Sequence, residues 1–402
     1  MSNKPNVTKK MCLLLFLSFV TLSTYSQYKF VVPTQYAGVL ADVTNNARSE
    51  ALGRNTVTLD GIRSAFDNPA SISPGDNKYQ LAINYSKGHS YKPKSYYPFA
   101  GFKAKITSRI SLGISTHHWI DPKSYWDAII ASQTFVTNKQ KNHVYSFIAA
   151  AEILKGLHFG VSGNLLRESA IDDKITGKDF VMNAGVIYDR PISLIKNQKV
   201  NNQQVRLAAS LFNTLMDGQM IQRANDSVWQ YRDIPVILRL GGAYSCTLPL
   251  NISFAKKSKK LKDASQTLDL SARIQYNNWL KNKDHIYVEH ESQTMIGFGL
   301  EAVALNLLAL RLGYFNTTAA EDNDPNLIYV TKDAIKGFTW GLGFIIPANK
   351  WSSGKVPFEV KFDVVAKNLP DWLDEARSTR ISKDFTDKKL FLSLGLELNF
   401  SK

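Results

Sequence analysis

Apolar and polar positions alternate along most of this chain. In the final run, Leu390, Leu392, Leu394, Leu396, Leu398 and Phe400 face one way, and Phe391, Ser393, Gly395, Glu397 and Asn399 face the other. A period of two marks a β-strand with one apolar face. About eleven strand residues, tilted near 45°, cross the hydrocarbon core of a bilayer. The alternation recurs, for example in Leu308, Leu310, Leu312 and Tyr314 against Ala309, Arg311 and Gly313. Fifteen segments qualify as strands, near 78–86, 96–106, 109–119, 127–137, 143–153, 155–166, 179–188, 204–213, 235–246, 266–276, 293–303, 305–315, 337–346, 357–366 and 389–400.

The second face decides the class. In a soluble sandwich it meets water and is broadly charged. Here it is rich in Gly, Ser, Thr and Ala with scattered charges, which suits a crowded barrel interior. Strand glycines also let an inner segment approach the wall. An unpaired apolar strand at a terminus would invite aggregation, whereas a closed barrel in lipid has no edge. The expected fold is therefore all-β, a transmembrane antiparallel β-barrel. Bacterial single-chain barrels have an even number of strands. The count is read as about fourteen, with sixteen as the alternative, and 127–137 alternates least well. A soluble exported β-protein is the competing class.

The chain's beginning agrees with export. Lys9 and Lys10 precede the apolar run Met11 to Val20, and small or polar residues follow to Ser26. That pattern reads as a secretory signal peptide over 1–26, with an uncleaved anchor as the alternative. Residues 27–77 then form an N-terminal extension, and 78–402 the barrel. The expected location is the bacterial outer membrane, with its lipid as the surrounding partner.

Composition changes this picture little. The 402 residues carry a net charge of +15, which raises the question of nucleic acid. The basic residues are dispersed and no nucleic-acid module accompanies them, so that partner is excluded. The densest group, Lys256, Lys257, Lys259, Lys260 and Lys262, falls in one loop. It is either a solvated loop or a periplasmic contact for anionic groups. Loss of the signal would leave Cys246 without an intrachain partner. With the C-terminus on the periplasmic side, tight turns near Lys155 and Ala304 are periplasmic. The long segments 167–178, 214–234, 316–336 and 367–388 then face outward from the cell. Residues 371–375 suggest a short helix in the last of these.

Enzyme chemistry is not evident. No Gly-x-Ser-x-Gly elbow, phosphate loop or His-Glu-x-x-His is present, so no catalytic residue, cofactor or metal is expected. His117 and His118 are adjacent on a strand and face opposite ways. His285 and His290 are odd-spaced, and His89, His143 and His158 stand alone in the sequence. Asp269, Arg273 and Arg311 read as mutual lumen partners rather than catalysts.

Residues 41–75 break the strand pattern. Asn45-Asn46 can begin a short helix from Ala47 to Leu52, with Gly53 just past its end. A second short helix from Gly61 to Phe66 runs into Asn68-Pro69-Ala70, where proline stops it. The order Ala47-Arg48, Leu52-Gly53, Val57, Ser64-Ala65-Phe66 and Asn68-Pro69-Ala70 resembles the N-terminal signature of FadL-like outer-membrane barrels. It looks closest to the PorV/PorQ branch, associated with type IX protein secretion. Arg54 and Ser71-Ile72 depart from the usual glycine and Gly-Leu. The resemblance implies a fourteen-stranded barrel whose N-terminal segment folds inside as a hatch, with Asn68, Pro69 and Ala70 as its turn. It also implies a non-enzymatic part in exporting or attaching surface proteins, with secretion components or cargo as partners. The alternative is a FadL-like passive channel for hydrophobic small molecules, with an apolar lumen pocket and a lateral opening at a kinked strand.

Overall fold

The computed structural model describes residues 46–75, 77–87, 96–124, 138–170, 175–195, 199–215, 219–224, 227–234, 236–250, 266–280, 294–317, 336–348, 358–368 and 390–400. The signal-peptide segment, Lys256 to Lys262, the 127–137 strand candidate, the 371–375 helix, His89, His285 and His290 lie outside these residues.

Seven strands precede a hairpin: β1 (Tyr79–Lys87), β2 (Tyr96–Lys105), β3 (Ile110–Ser124), β4 (Asn138–Leu154), β5 (Leu157–Ala170), β6 (Ile175–Pro191) and β7 (Asn201–Phe212). The hairpin is β8 (Gln219–Ala224) and β9 (Ser227–Asp233). Seven more follow: β10 (Val236–Pro249), β11 (Thr267–Leu280), β12 (Thr294–Ala304), β13 (Leu308–Thr317), β14 (Lys336–Ile346), β15 (Phe358–Asn368) and β16 (Leu390–Phe400). Each wall strand pairs antiparallel with its neighbours, and β7 pairs with β10 across the hairpin. β1 pairs with β16 over nine positions, from Tyr79↔Phe400 to Lys87↔Leu392. The wall is therefore a closed barrel of fourteen strands, and closure removes the edges that lipid cannot solvate.

The barrel is apolar outside and polar inside. Ile114, Phe147, Leu207, Leu310 and Leu394 are exposed on the outer wall, Phe147 most of all at 73 %. Asn84, His117, Asn164, Asn183, Gln275 and Glu301 are buried within. Water would oppose that arrangement, and a bilayer reverses the sign. One end is closed by tight turns. Gly156, at φ +76°, turns β4 into β5, and Leu305 and Asn306 turn β12 into β13 with positive φ. Short turns mark the periplasmic end.

The opposite end departs from expectation in two places. Residues 167–178 belong mainly to strand, because β5 and β6 extend to Ala170 and from Ile175. The 214–234 segment holds the hairpin, and β8 pairs with the outer end of β6 at Ile175↔Ala224 to Lys178↔Ile221. The hairpin takes the place beside β6 that β7 leaves at Ala184↔Leu211.

Candidate functional site in the barrel lumen

Residues 46–75 run through the barrel interior, and nearly all of them are buried. Helix α1 (Ala47–Ala51) begins at Asn46, whose side chain accepts from the Arg48 amide. It ends at Leu52, and Gly53 follows at φ +67°. The wall is notched to receive this turn. A Cβ on Gly313 would lie 2.0 Å from the Gly53 nitrogen, and one on Gly297 would lie 2.2 Å from its oxygen. Only glycine permits backbones so close.

Two 3-10 turns follow, Ile62–Ser64 and Pro69–Ile72. Asn68 caps the second. Its Oδ1 accepts from the Ala70 amide at 3.1 Å, and its Nδ2 donates to the Val57 carbonyl at 2.9 Å. Pro69 sits at the first turn position, where a missing N–H costs nothing. Gly160 and Gly185 make room for Asn68-Pro69-Ala70, since a Cβ there would fall 2.4 Å from the Ala70 nitrogen or 2.0 Å from Asn68 Oδ1.

Irregular backbone at membrane depth must find its hydrogen bonds in protein. Wall side chains supply them. Gln275 Oε1 accepts from the Thr56 and Val57 amides at 2.7 and 2.8 Å, and Gln80 Oε1 from the Ile62 amide at 2.7 Å. Thr339 Oγ1 accepts from the Gly53 amide at 3.2 Å. Asn183 donates to the Phe66 carbonyl at 3.0 Å, and Lys103 to the Ile72 carbonyl at 3.1 Å.

Charge fixes the segment to one side of the wall. Arg48 donates to both oxygens of Glu301, at 3.0 and 2.6 Å. Arg311 bridges Glu301 at 2.7 Å and Asp363 at 2.8 Å, and Arg63 reaches Asp363 at 2.6 Å. Glu397 lies 3.8 Å from Arg63 and 3.6 Å from Lys361. A continuous chain of opposite charges thus crosses β12, β13, β15 and β16. Arg311 and Arg273 meet Glu301 rather than Asp269, which instead accepts from Thr247 at 2.7 Å. Nearer the periplasmic end, Arg206 holds both Asp60 and Asp189. Desolvation alone would raise the Asp60 carboxyl, but the Arg206 guanidinium outweighs it and holds it below the ordinary carboxylate range. Desolvation alone would lower the Arg48 guanidinium, and Glu301 reverses that.

Above the inner segment, toward the loop end, the lumen turns apolar. Phe66 packs there with Tyr97, Trp119, Leu166, Val181, Phe212 and Ile237, buried side chains from six different wall strands. The Phe66 ring lies 4.8 Å from His117 and 5.5 Å from Phe212. Beside this cluster the β2–β3 ladder has a two-residue gap with no change of register. β2 and β3 pair continuously from Lys105↔Ser111 to Phe99↔His117, then skip Tyr97 and Pro98 before Tyr96↔Ile120. Pro98 has no N–H to contribute to a ladder.

The histidines are arranged differently from their reading in sequence. His143 is not solitary: it faces His118 in register, and their Nδ1 atoms are hydrogen-bonded on the outer wall. His158 Nδ1 pairs with Ser73 Oγ at 2.9 Å inside. No group of three metal-ligating side chains occurs among the described residues.

The wall and its apolar belt define an outer-membrane β-barrel with a threaded lumen. No family model matches this chain, and no curated protein matches it by sequence. Among solved structures it is similar to a Pseudomonas aeruginosa FadL homologue, at 12% identity and TM-score 0.47, over 93% of this chain and 100% of that one. It is also similar to the Pseudomonas putida toluene transporter TodX, at 11% identity and TM-score 0.44 over 89% and 97% of the two chains. The Ralstonia pickettii toluene transporter TbuX gives 11% identity and TM-score 0.44 over 88% and 98%.

Proposed function

We propose that this barrel is a non-enzymatic conduit by which hydrophobic small molecules cross the outer membrane. The observation that supports the reading is the cluster of aromatic and aliphatic side chains that six wall strands and Phe66 bring together at the loop end of the lumen. Side chains such as Trp119, Phe212 and Ile237 gain little by facing a water-filled channel. They gain about 25 cal/mol for each Å² they cover against an apolar solute. Residues 46–75 then act as the hatch, with Asn68, Pro69 and Ala70 as its turn.

The test is transfer of a hydrophobic fluorescent probe, N-phenylnaphthylamine, into liposomes holding the purified protein. Transfer is expected to exceed that of protein-free liposomes, and Phe212→Glu is expected to abolish the excess by charging this apolar cluster. Equal transfer with and without protein would refute the reading. No feature among the described residues favours protein export, the function implied by the PorV/PorQ resemblance. A deletion strain that lost surface proteins yet took up hydrophobic solutes normally would put export in place of the conduit.

A further inference from the structure

The periplasmic end of the barrel is apolar along one arc. Three periplasmic turns join β2 to β3, β4 to β5 and β6 to β7. Turns of this kind are ordinarily built from small and polar residues. Here Ile106, Leu154 and Leu194, one at each turn, are all at least 60% exposed. Ile153 and Ile195 beside them are exposed as well. Elsewhere on the same end, the β12–β13 turn does the opposite and buries Leu305.

Each turn is braced so that its apolar side chain stays out. Thr107 Oγ1 accepts from the Arg109 and Ile110 amides, at 3.2 and 3.0 Å. Glu152 Oε1 accepts from the Gly156 amide at 2.9 Å. Gln203 grips the third turn with both ends of its side-chain amide. Its Oε1 accepts from the Ile195 amide and its Nε2 donates to the Ile195 carbonyl, both at 2.8 Å. The Tyr244 hydroxyl donates to the same Oε1 at 3.0 Å.

The braces also set direction. Alternation puts exposed Leu207 and its neighbour Val205 on the outer face of β7, and Gln203 shares their parity. Tyr244 faces Val205 in register from β10. Gln203 therefore holds Ile195 against the outer wall and not beneath the lumen. Ile106 and Ile153 continue the outward series of β2 and β4 that include exposed Phe102 and Phe147. The apolar turns are thus the lower continuation of the lipid-facing wall. A cation accompanies each turn, since Arg109, Lys155 and Arg190 are exposed.

We infer that this arc of the rim, from β2 to β7, is an interfacial anchor for glycerophospholipid of the inner leaflet. Ile106, Leu154 and Leu194 enter the boundary between acyl chains and headgroups, and Arg109, Lys155 and Arg190 reach along it to the phosphates. A contiguous apolar patch of this kind calls for a cover. A periplasmic protein would meet the underside of the rim, whereas these side chains lie on the outward side, where lipid already covers the wall. The barrel is thereby set deeper in the inner leaflet along this arc than at the β12–β13 turn.

The experiment is collision of a nitroxide label on the barrel refolded into vesicles of phosphatidylethanolamine and phosphatidylglycerol. In a Cys12→Ser, Cys246→Ser background, the label is placed in turn at Leu154→Cys, at Leu194→Cys and, in the opposite turn, at Asn306→Cys. The collision partners are oxygen, which concentrates in hydrocarbon, and nickel ethylenediaminediacetate, which stays in water. Oxygen is expected to dominate at Leu154→Cys and Leu194→Cys, with a shift toward the nickel complex at Asn306→Cys. Dominance of the nickel complex at either of the first two positions would overturn the inference and leave the arc to a water-borne partner. Equal dominance of oxygen at all three would also overturn it, because the arc would then differ in nothing from the rest of the rim.

Discussion

Glu301→Gln is the sharpest test of how the inner segment is held. Glu301 is 5% exposed and takes hydrogen bonds from Arg48 on the segment and Arg311 on the wall, with Arg273 4.0 Å away. Removing its charge leaves three guanidiniums with Asp363 as the remaining carboxylate among their partners. Breaking a buried pair by one partner costs about 3–5 kcal/mol. Arg48 keeps 30% exposure, and glutamine Oε1 still accepts from it, so the low end applies. The penalty falls on the docked state, because Arg48 regains water when the segment leaves. At about 3 kcal/mol the undocked fraction rises roughly a hundredfold. Trypsin reads this directly, since Arg48, Arg54 and Arg63 all lie in the segment. Cleavage there is expected to accelerate, with step increases in conductance across a planar bilayer. Arg48→Gln combined with Glu301→Gln should recover part of the loss, a coupling of about 0.5–3 kcal/mol. Unchanged proteolysis and conductance in Glu301→Gln would show that the charge chain does not hold the segment.

Three further substitutions probe other parts of the argument. Phe147→Arg, placed on the outer wall, should destabilise the barrel by about 2–4 kcal/mol in lipid, seen as a lower melting temperature by heat-modified gel mobility. A change under about 0.5 kcal/mol would mean that this face meets water. Asn68→Ala removes the cap on Ala70 and orphans the Val57 carbonyl, for a loss of about 1–2 kcal/mol. Asn68→Asp keeps the cap but sets a buried carboxylate oxygen against the Val57 carbonyl, and should cost more than alanine, as measured by trypsin sensitivity. Gly313→Ala drives a Cβ into Gly53 and Leu52 backbone and should cost about 1–3 kcal/mol, with faster cleavage at Arg54. An unaltered cleavage rate would mean that the notch is loose.

The wall was legible in the sequence because a lipid-facing strand repeats every two residues without outside help. Fourteen of the segments read as strands coincide with wall strands, including the closing run to Phe400. The β8–β9 hairpin was missed although Asn225-Asp226 is a turn signal between two short alternating runs. It lies in a loop where no core enforces alternation. The ion pairs were illegible for a different reason. Arg48 and Glu301 are 253 positions apart, and Arg63 and Asp363 are 300 apart. Register across a closed barrel, not local pattern, brings them together. The same holds for His118 and His143, which look solitary until strand pairing aligns them.

The polar lower lumen invites the conclusion that the barrel passes polar solutes, and the hydrogen bonds argue otherwise. Gln80, Gln275, Thr339, Asn183 and Lys103 each spend a donor or acceptor on the backbone of residues 53–72. A chain without helix or ladder at that depth strands its amides and carbonyls unless the wall provides for them. Wall polarity at the height of the segment is therefore a requirement of filling the lumen with irregular backbone. It carries no information about what passes through. Around Phe66 the segment meets Tyr97, Trp119 and Phe212 instead, and there the contacts are made by aromatic and aliphatic side chains. The polar wall side chains lower in the lumen are thus accounted for by the segment's backbone and do not argue for a polar solute.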